Sequence, residues 1–139
     1  MKKILGVLLG TVLLGVLLIS CGNGNNKKNE MTAEQYAIVL KNAGLFIDDL
    51  KVVTAENDEN KLLGRPNQYT SKVNFKNGSI EVFNNKEDLK ARQEYINEIG
   101  KATSIFAEYN YANGNALLRI NKSLTPEDAK KYEDEFMKL

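Results

Sequence analysis

The pattern of apolar and polar positions divides the chain from residue 32 onward into helices and strands. In three segments, apolar side chains recur at helical spacing. In four short segments, apolar and polar side chains alternate; these segments form two pairs, and an Asn-Gly sequence separates the two members of each pair. The first spacing is typical of helices with one buried face, and the second of strands with one buried face. The pattern therefore predicts an α+β domain with three helices and two β-hairpins.

The first predicted helix covers residues 32–44. Thr32 can cap its N-terminus, Gln35 completes a capping box, and Gly44 is a natural stop. Residues 45–54 contain clustered apolar side chains and are predicted to form a further strand. The apolar face of the first helix is predicted to contain Tyr36, Val39, Leu40 and Ala43.

The two hairpins are predicted to turn on Asn77-Gly78 and Asn113-Gly114. Asn-Gly favours a two-residue turn, because both turn residues need a positive φ. A two-residue turn also fixes which residues lie opposite each other. The predicted opposite pairs are Phe75–Ile80, Val73–Val82, Tyr111–Ala116, Tyr109–Leu118 and Ala107–Ile120.

A helix is predicted after each hairpin. Asn85 can cap the first of them, and Thr125 can cap the second, with Pro126 at its first helical position. The two hairpin-plus-helix units resemble each other, which indicates an internal duplication; convergence is the alternative. The apolar faces are predicted to be Leu89, Arg92, Ile96 and Ile99 in one helix and Ala129, Tyr132, Phe136 and Leu139 in the other.

These elements predict two layers, in which the helices cover one face of an antiparallel sheet. The opposite face is expected to be wet. On that face the predicted register places Glu108 opposite Arg119, an opposite-charge pair between neighbouring strands. The residues predicted on the wet face are Asn74, Glu81, Glu108, Asn110 and Arg119.

The first twenty residues have a different pattern. Lys2 and Lys3 precede an apolar run at 4–19. As a helix the run is about 24 Å long, whereas the core of a bilayer is about 30 Å thick. A positive start followed by a short apolar run is typical of an export signal, which we place at 1–20. An uncleaved membrane anchor is the alternative.

The segment Leu18-Ile19-Ser20-Cys21 resembles the lipobox of bacterial lipoproteins. The resemblance implies a diacylglyceryl group on Cys21, and two acyl chains hold a protein stably at a membrane. Residues 21–31 would then comprise the lipidated cysteine and a polar, flexible tether. A single domain at 32–139 would follow, on the extracytoplasmic face of the cell membrane.

Charge and composition limit the chemistry of this domain. Residues 31–139 contain 15 basic and 17 acidic side chains, so no basic field favours nucleic acid. The chain has no histidine, and no serine lies in a nucleophile motif, so no catalytic residue is predicted. The acidic segment 56–60 offers oxygen ligands for a cation such as Ca²⁺. It lacks the glycine and final glutamate of a calcium-binding loop, so a solvated loop is the simpler interpretation. No metal or other cofactor is predicted.

The polar loop 62–72 is the candidate contact surface. Gly64 and Pro66 make its turn stiff, and a rigid polar loop beside a sheet is a suitable place for binding. The alternative is that the loop only turns the chain into the first hairpin, with Tyr69 in the core. The candidate partner-binding residues are Arg65, Asn67, Gln68 and Tyr69.

Residues 62–75, with the sequence LLGRPNQYTSKVNF, resemble a family of small lipoproteins of Gram-positive bacteria, as do residues 78–83 and 124–127. The family has no assigned activity, so the resemblance implies a location and a fold but no reaction. We therefore expect a membrane-anchored binding or accessory module without catalytic activity. Its partner would be an envelope protein, peptide or glycan. The alternative is a small envelope hydrolase that uses carboxylates.

Overall fold

The computed structural model describes residues 31–139, which form an antiparallel sheet and three helices. The predicted α+β class is confirmed. The predicted signal peptide, Cys21 and most of the predicted tether lie outside the described residues. No helix in the described part is long and apolar enough to cross a membrane. In chain order the elements are α1 (Ala33–Asn42), β1 (Lys51–Val52), β2 (Ser71–Phe75), β3 (Gly78–Val82), α2 (Lys86–Ala102), a 3₁₀ turn (Ser104–Phe106), β4 (Glu108–Asn113), β5 (Ala116–Asn121) and α3 (Pro126–Phe136).

The five strands form one sheet in the order β1-β2-β3-β5-β4, and every neighbouring pair is antiparallel. The two hairpins therefore join side by side. Their inner strands, β3 and β5, pair along their whole length, with Ile80 opposite Leu118. The inner strand of each hairpin therefore lies in the interior of the sheet, and neither β3 nor β5 is an edge strand.

Helices cover both faces of the sheet, so the prediction that they all cover one face is wrong. Helices α1 and α3 pack on the face that carries Val73, Ile80 and Leu118, which we call the first face. Helix α2 packs on the other, second face. Its apolar side chains lie in a smaller core, composed of Tyr69, Phe83, Leu89, Ile96 and Leu117. Sequence reasoning treated this face as polar and overlooked the apolar patch that Phe83 and Leu117 form there.

The predicted internal duplication can extend at most to the hairpins. A two-fold axis normal to the sheet between β3 and β5 would exchange the hairpins, and it would leave each face of the sheet in place. Helices related by that axis would lie on the same face, whereas α2 and α3 lie on opposite faces. The similar helix patterns therefore do not reflect equivalent positions.

Helix α1 begins with the predicted capping box between Thr32 and Gln35, but it buries a different face. Ala33, Ala37 and Leu40 are fully buried, whereas the predicted core residues Val39 and Ala43 are exposed. Small side chains allow the helix to approach the sheet closely. The backbone N–H of Ala33 donates to Ser71 Oγ at 2.8 Å, which fixes the start of α1 to β2.

Only Lys51–Val52 of the predicted strand 45–54 pairs with the sheet. Asp49 has a φ of 55°, which an extended strand cannot contain. Ile47 nevertheless lies in the core of the first face, and the Tyr132 hydroxyl donates to the Phe46 carbonyl at 2.8 Å. The apolar residues that suggested a strand at 45–54 therefore mainly pack against the core of the first face.

Both predicted hairpin registers are wrong by two residues. In the first hairpin Phe75 pairs with Gly78, so Lys76 and Asn77 form the turn. Gly78 does not have a positive φ. A Cβ at this position would lie 2.0 Å from the carbonyl oxygen of Arg119, so glycine is needed for the close approach of β3 to β5.

In the second hairpin Asn113 pairs with Ala116, and the turn is Gly114-Asn115. Gly114 has a φ of 58°, as required at the first position of a type II′ turn. A shift of two residues keeps each side chain on its predicted face. The apolar pattern was therefore compatible with either register.

The two turn-region glycines should respond differently to the same substitution. Gly78→Asn should lower the free energy of unfolding by about 2 kcal/mol, because its Cβ overlaps backbone of the neighbouring strand. Gly114→Asn should lower it by only about 1 kcal/mol, because the site is open and only the positive φ is strained. Denaturant titration of both variants measures the difference. Equal losses would contradict the assignment of different roles to the two glycines.

Candidate functional site

A buried carboxylate lies at the centre of the second face. Glu81 is on the inner strand β3, and none of its surface is exposed. Its two oxygens meet Lys72 Nζ at 3.0 Å, Arg92 Nε at 3.0 Å and Arg119 Nη1 at 2.8 Å. Lys72 comes from β2, Arg119 from β5 and Arg92 from α2, so Glu81 links three strands to the covering helix. A buried charge needs such partners, because loss of hydration is costly.

Arg119 extends the network to a second carboxylate. Its Nε and Nη2 donate to the two oxygens of Glu108 at 2.7 and 2.8 Å. The predicted ion pair is thus present, but Asn110 rather than Glu108 lies directly opposite Arg119. Diagonal neighbours also reach each other across a sheet, which is why the charge pair did not determine the register.

The network keeps Glu81 ionised. Burial alone would raise its pKa, but the guanidinium groups of Arg92 and Arg119 and the Lys72 ammonium outweigh burial and lower the pKa to about 2. Burial would likewise lower the pKa of Arg119, but Glu108 and Glu81 raise it. Glu81 and Arg119 are therefore both charged at neutral pH.

An open cleft with a volume of about 650 Å³ lies above this network. Lys72, Arg92 and Arg119 contribute to its floor. Helix α2 and the 3₁₀ turn form an apolar wall that includes Tyr95 and Phe106, which are 58% and 62% exposed. Amide side chains on the loop before β2 also line the cleft. The cleft thus combines fixed charges, apolar surface and hydrogen-bonding groups, as ligand sites commonly do.

The loop before β2 is built around Asp58. Its carboxylate accepts hydrogen bonds from the backbone N–H groups of Leu62 and Leu63 at 2.8 Å and from the Tyr69 hydroxyl at 2.9 Å. Burial would raise the pKa of Asp58, but these hydrogen bonds and that from Asn60 lower it. Burial and the nearby Asp58 carboxylate also raise the pKa of Tyr69 far above its usual value.

The four candidate contact residues have different positions. Asn67 and Gln68 line the cleft, and Asn67 has a φ of 61°. Arg65 is exposed outside the cleft lining and makes no ion pair with any described residue. Tyr69 is fully buried, so in this structure it cannot present its ring to a partner. The loop thus contributes two of the four residues to the cleft.

Sequence reasoning did not identify the charges of the cleft floor. It placed Glu81 and Arg119 on a wet face, and it assigned Arg92 to an apolar helix face without a partner. The available signal was an acid within the apolar strand β3, together with bases at matching positions of β2 and β5.

The acidic segment 56–60 has a structural explanation. Asp58 is committed to the loop hydrogen bonds described above. Within residues 31–139 no group of three or more acidic, histidine or cysteine side chains converges as a metal site would require. No metal role is therefore proposed for this segment.

Comparisons of the chain with protein-family models, curated proteins and solved structures found no match.

Removing the charge of Glu81 should be costly. Glu81→Gln leaves Lys72 and Arg92 without their carboxylate, and the free energy of unfolding should fall by about 3 kcal/mol. Glu94→Gln removes an exposed pair with Lys90 on the same helix as Arg92 and should cost less than about 0.5 kcal/mol. Denaturant titration at pH 7 compares the two variants.

The same variants separate ionisation from packing. The pKa of Glu81 in the folded protein lies below the ordinary value of 4.5. Its contribution to stability should therefore be fully present well above pH 4.5 and should decline as the pH falls towards 2. Wild type and Glu81→Gln should converge in stability over this range. A constant difference from pH 7 to pH 2 would contradict the assignment.

Proposed function

We propose that the protein is a membrane-anchored extracytoplasmic lipoprotein whose domain is a binding or accessory module of the cell envelope. The cleft on the second face carries this proposal, because it combines a charged floor with an exposed apolar wall. The lipobox-like segment at Cys21 and the export-signal pattern at 1–20 support the location.

The attachment of the tether is compatible with a ligand in the cleft. The domain begins at α1, which packs on the first face, whereas the cleft opens on the second face. A tether of about ten residues reaches about 30 Å at most. The tether therefore joins the domain on the side opposite the cleft. It can hold the domain near the membrane and leave the cleft open to a ligand.

A hydrolase is the second candidate, because Glu108 lines the cleft and Glu81 lies beside it. A general acid needs a carboxyl group that remains protonated near neutral pH. Glu81 has the opposite property, since three cations lower its pKa to about 2. Both carboxylates are also bound to Arg119. This arrangement favours binding over acid–base catalysis.

Site-specific crosslinking in membranes tests the proposal. A photo-crosslinking amino acid replaces either Tyr95 in the cleft wall or Ile38, which is 46% exposed on α1 and lies outside the cleft. An envelope partner should be captured from position 95 and not from position 38.

Fatty-acid labelling in the same cells tests the anchor. Cys21→Ser should abolish labelling and release the domain from membranes. Equal capture from positions 95 and 38 would contradict a role for the cleft, and unchanged labelling of Cys21→Ser would contradict the lipid site.

A further inference from the structure

The cleft floor carries more positive than negative charge. Lys72, Arg92 and Arg119 contribute three positive charges, whereas Glu81 and Glu108 contribute two negative ones. A smaller groove, with a volume of about 290 Å³, also contains Lys72 in its lining, and Lys76 adds a further positive charge there. Within residues 31–139 no other acidic side chain lines the cleft or the groove. An anionic group is the complementary ligand.

The network also leaves donors available to such a group. Arg92 uses Nε and Nη2 for Glu81, and its Nη1 donates to no described residue. Every fully buried side-chain nitrogen or oxygen in the described part has a partner, so Nη1 retains some exposed surface. The Lys72 ammonium lies 3.0 Å from Glu81 and 4.9 Å from the centre of the Tyr69 ring, and 9% of its side chain is exposed. Both residues line the cleft, so their positive charges lie at its floor.

The lining of the cleft contains two kinds of surface. Tyr95, Ile99 and Phe106 contribute apolar area, and Asn67 and Gln68 contribute amide groups. The apolar area suits an apolar side chain. The amide groups can donate to and accept from peptide groups. A fatty acid would make no hydrogen bonds with these amides along its chain. A glycan would make few apolar contacts with the wall.

We infer that the cleft binds the C-terminal end of a peptide whose last side chain is apolar, an inference that rests on the proposed function. The terminal carboxylate meets Arg92 Nη1 and the Lys72 ammonium. The last side chain packs on Tyr95 and Phe106, and the preceding peptide groups meet Asn67 and Gln68. A volume of about 650 Å³ accommodates a few residues of this kind.

The decisive test changes the ligand rather than the protein. The full lipidated chain in lipid nanodiscs is titrated calorimetrically with acetyl-Ala-Ala-X peptides, in which X is Leu, Ile, Phe or Tyr. Each peptide is used as the free acid and as the C-terminal carboxamide. At least one free acid should bind, and its carboxamide should bind at least tenfold more weakly. Decanoate, which has a carboxylate and an apolar chain but no amide, should bind more weakly than that peptide.

Two neighbouring residues provide matched protein variants. Phe106→Ser removes part of the apolar wall and should weaken binding of the free acid at least fivefold. Ile105→Ser alters a side chain that is 84% exposed and lies outside the cleft, and it should leave binding unchanged. Both residues are largely exposed, so neither substitution should affect folding, which circular dichroism checks.

Three outcomes would overturn the inference: no peptide binds, acid and carboxamide bind equally, or decanoate binds more tightly than any peptide. Equal effects of Phe106→Ser and Ile105→Ser would also overturn it. If crosslinking from position 95 still captures a partner in these cases, the inference fails and the proposed function stands. If that capture is absent as well, both fail.

Discussion

The buried carboxylate of Glu81 determines how the layers of this protein fit together. A charge with no exposed surface in the middle of a sheet is tolerated only with close counter-charges. Its partners come from both neighbouring strands and from α2. The same interaction therefore positions the helix on the second face and assembles the cleft floor beneath it.

The remaining contacts of α2 depend on that placement. Leu89 and Ile96 reach the small core of the second face, and Gln93 Nε2 donates to Asn110 Oδ1 at 2.9 Å. Beyond these contacts the helix leaves Tyr95 exposed, with the Arg92 guanidinium 5.9 Å from its ring. One face of α2 thus contacts the sheet through both charged and apolar side chains. The exposed side chain next to that face, Tyr95, forms part of the cleft wall.

Local signals in the sequence predicted the fold class and the N-terminus of each helix. The caps at Thr32, Asn85 and Thr125 are present because each depends only on residues a few positions apart. The face on which α2 packs depends on Glu81 and Arg92 meeting from distant segments, which a helical period cannot reveal. The hairpin registers failed for a related reason, since Gly78 is required by β5 and not by its own turn.

The candidate loop shows the same limit within a single segment. Its density of polar side chains correctly indicated a structured loop, and Asn67 and Gln68 do face the cleft. The burial of Tyr69 depends on Asp58, which sequence reasoning had assigned to a solvated acidic segment. Composition alone cannot show whether a tyrosine and an aspartate form a buried hydrogen bond or lie separately on the surface.

The ionisation of Glu81 tests this account most directly, because the packing of α2 and the charge of the cleft floor both depend on it. A ¹³C NMR titration of the glutamate carboxyl carbons, assigned with the Glu81→Gln variant, measures its pKa in the folded protein. The three surrounding cations should hold this pKa at about 2, well below the ordinary 4.5. A value at or above 4.5 would mean that the cations do not surround this carboxylate, and it would contradict the account.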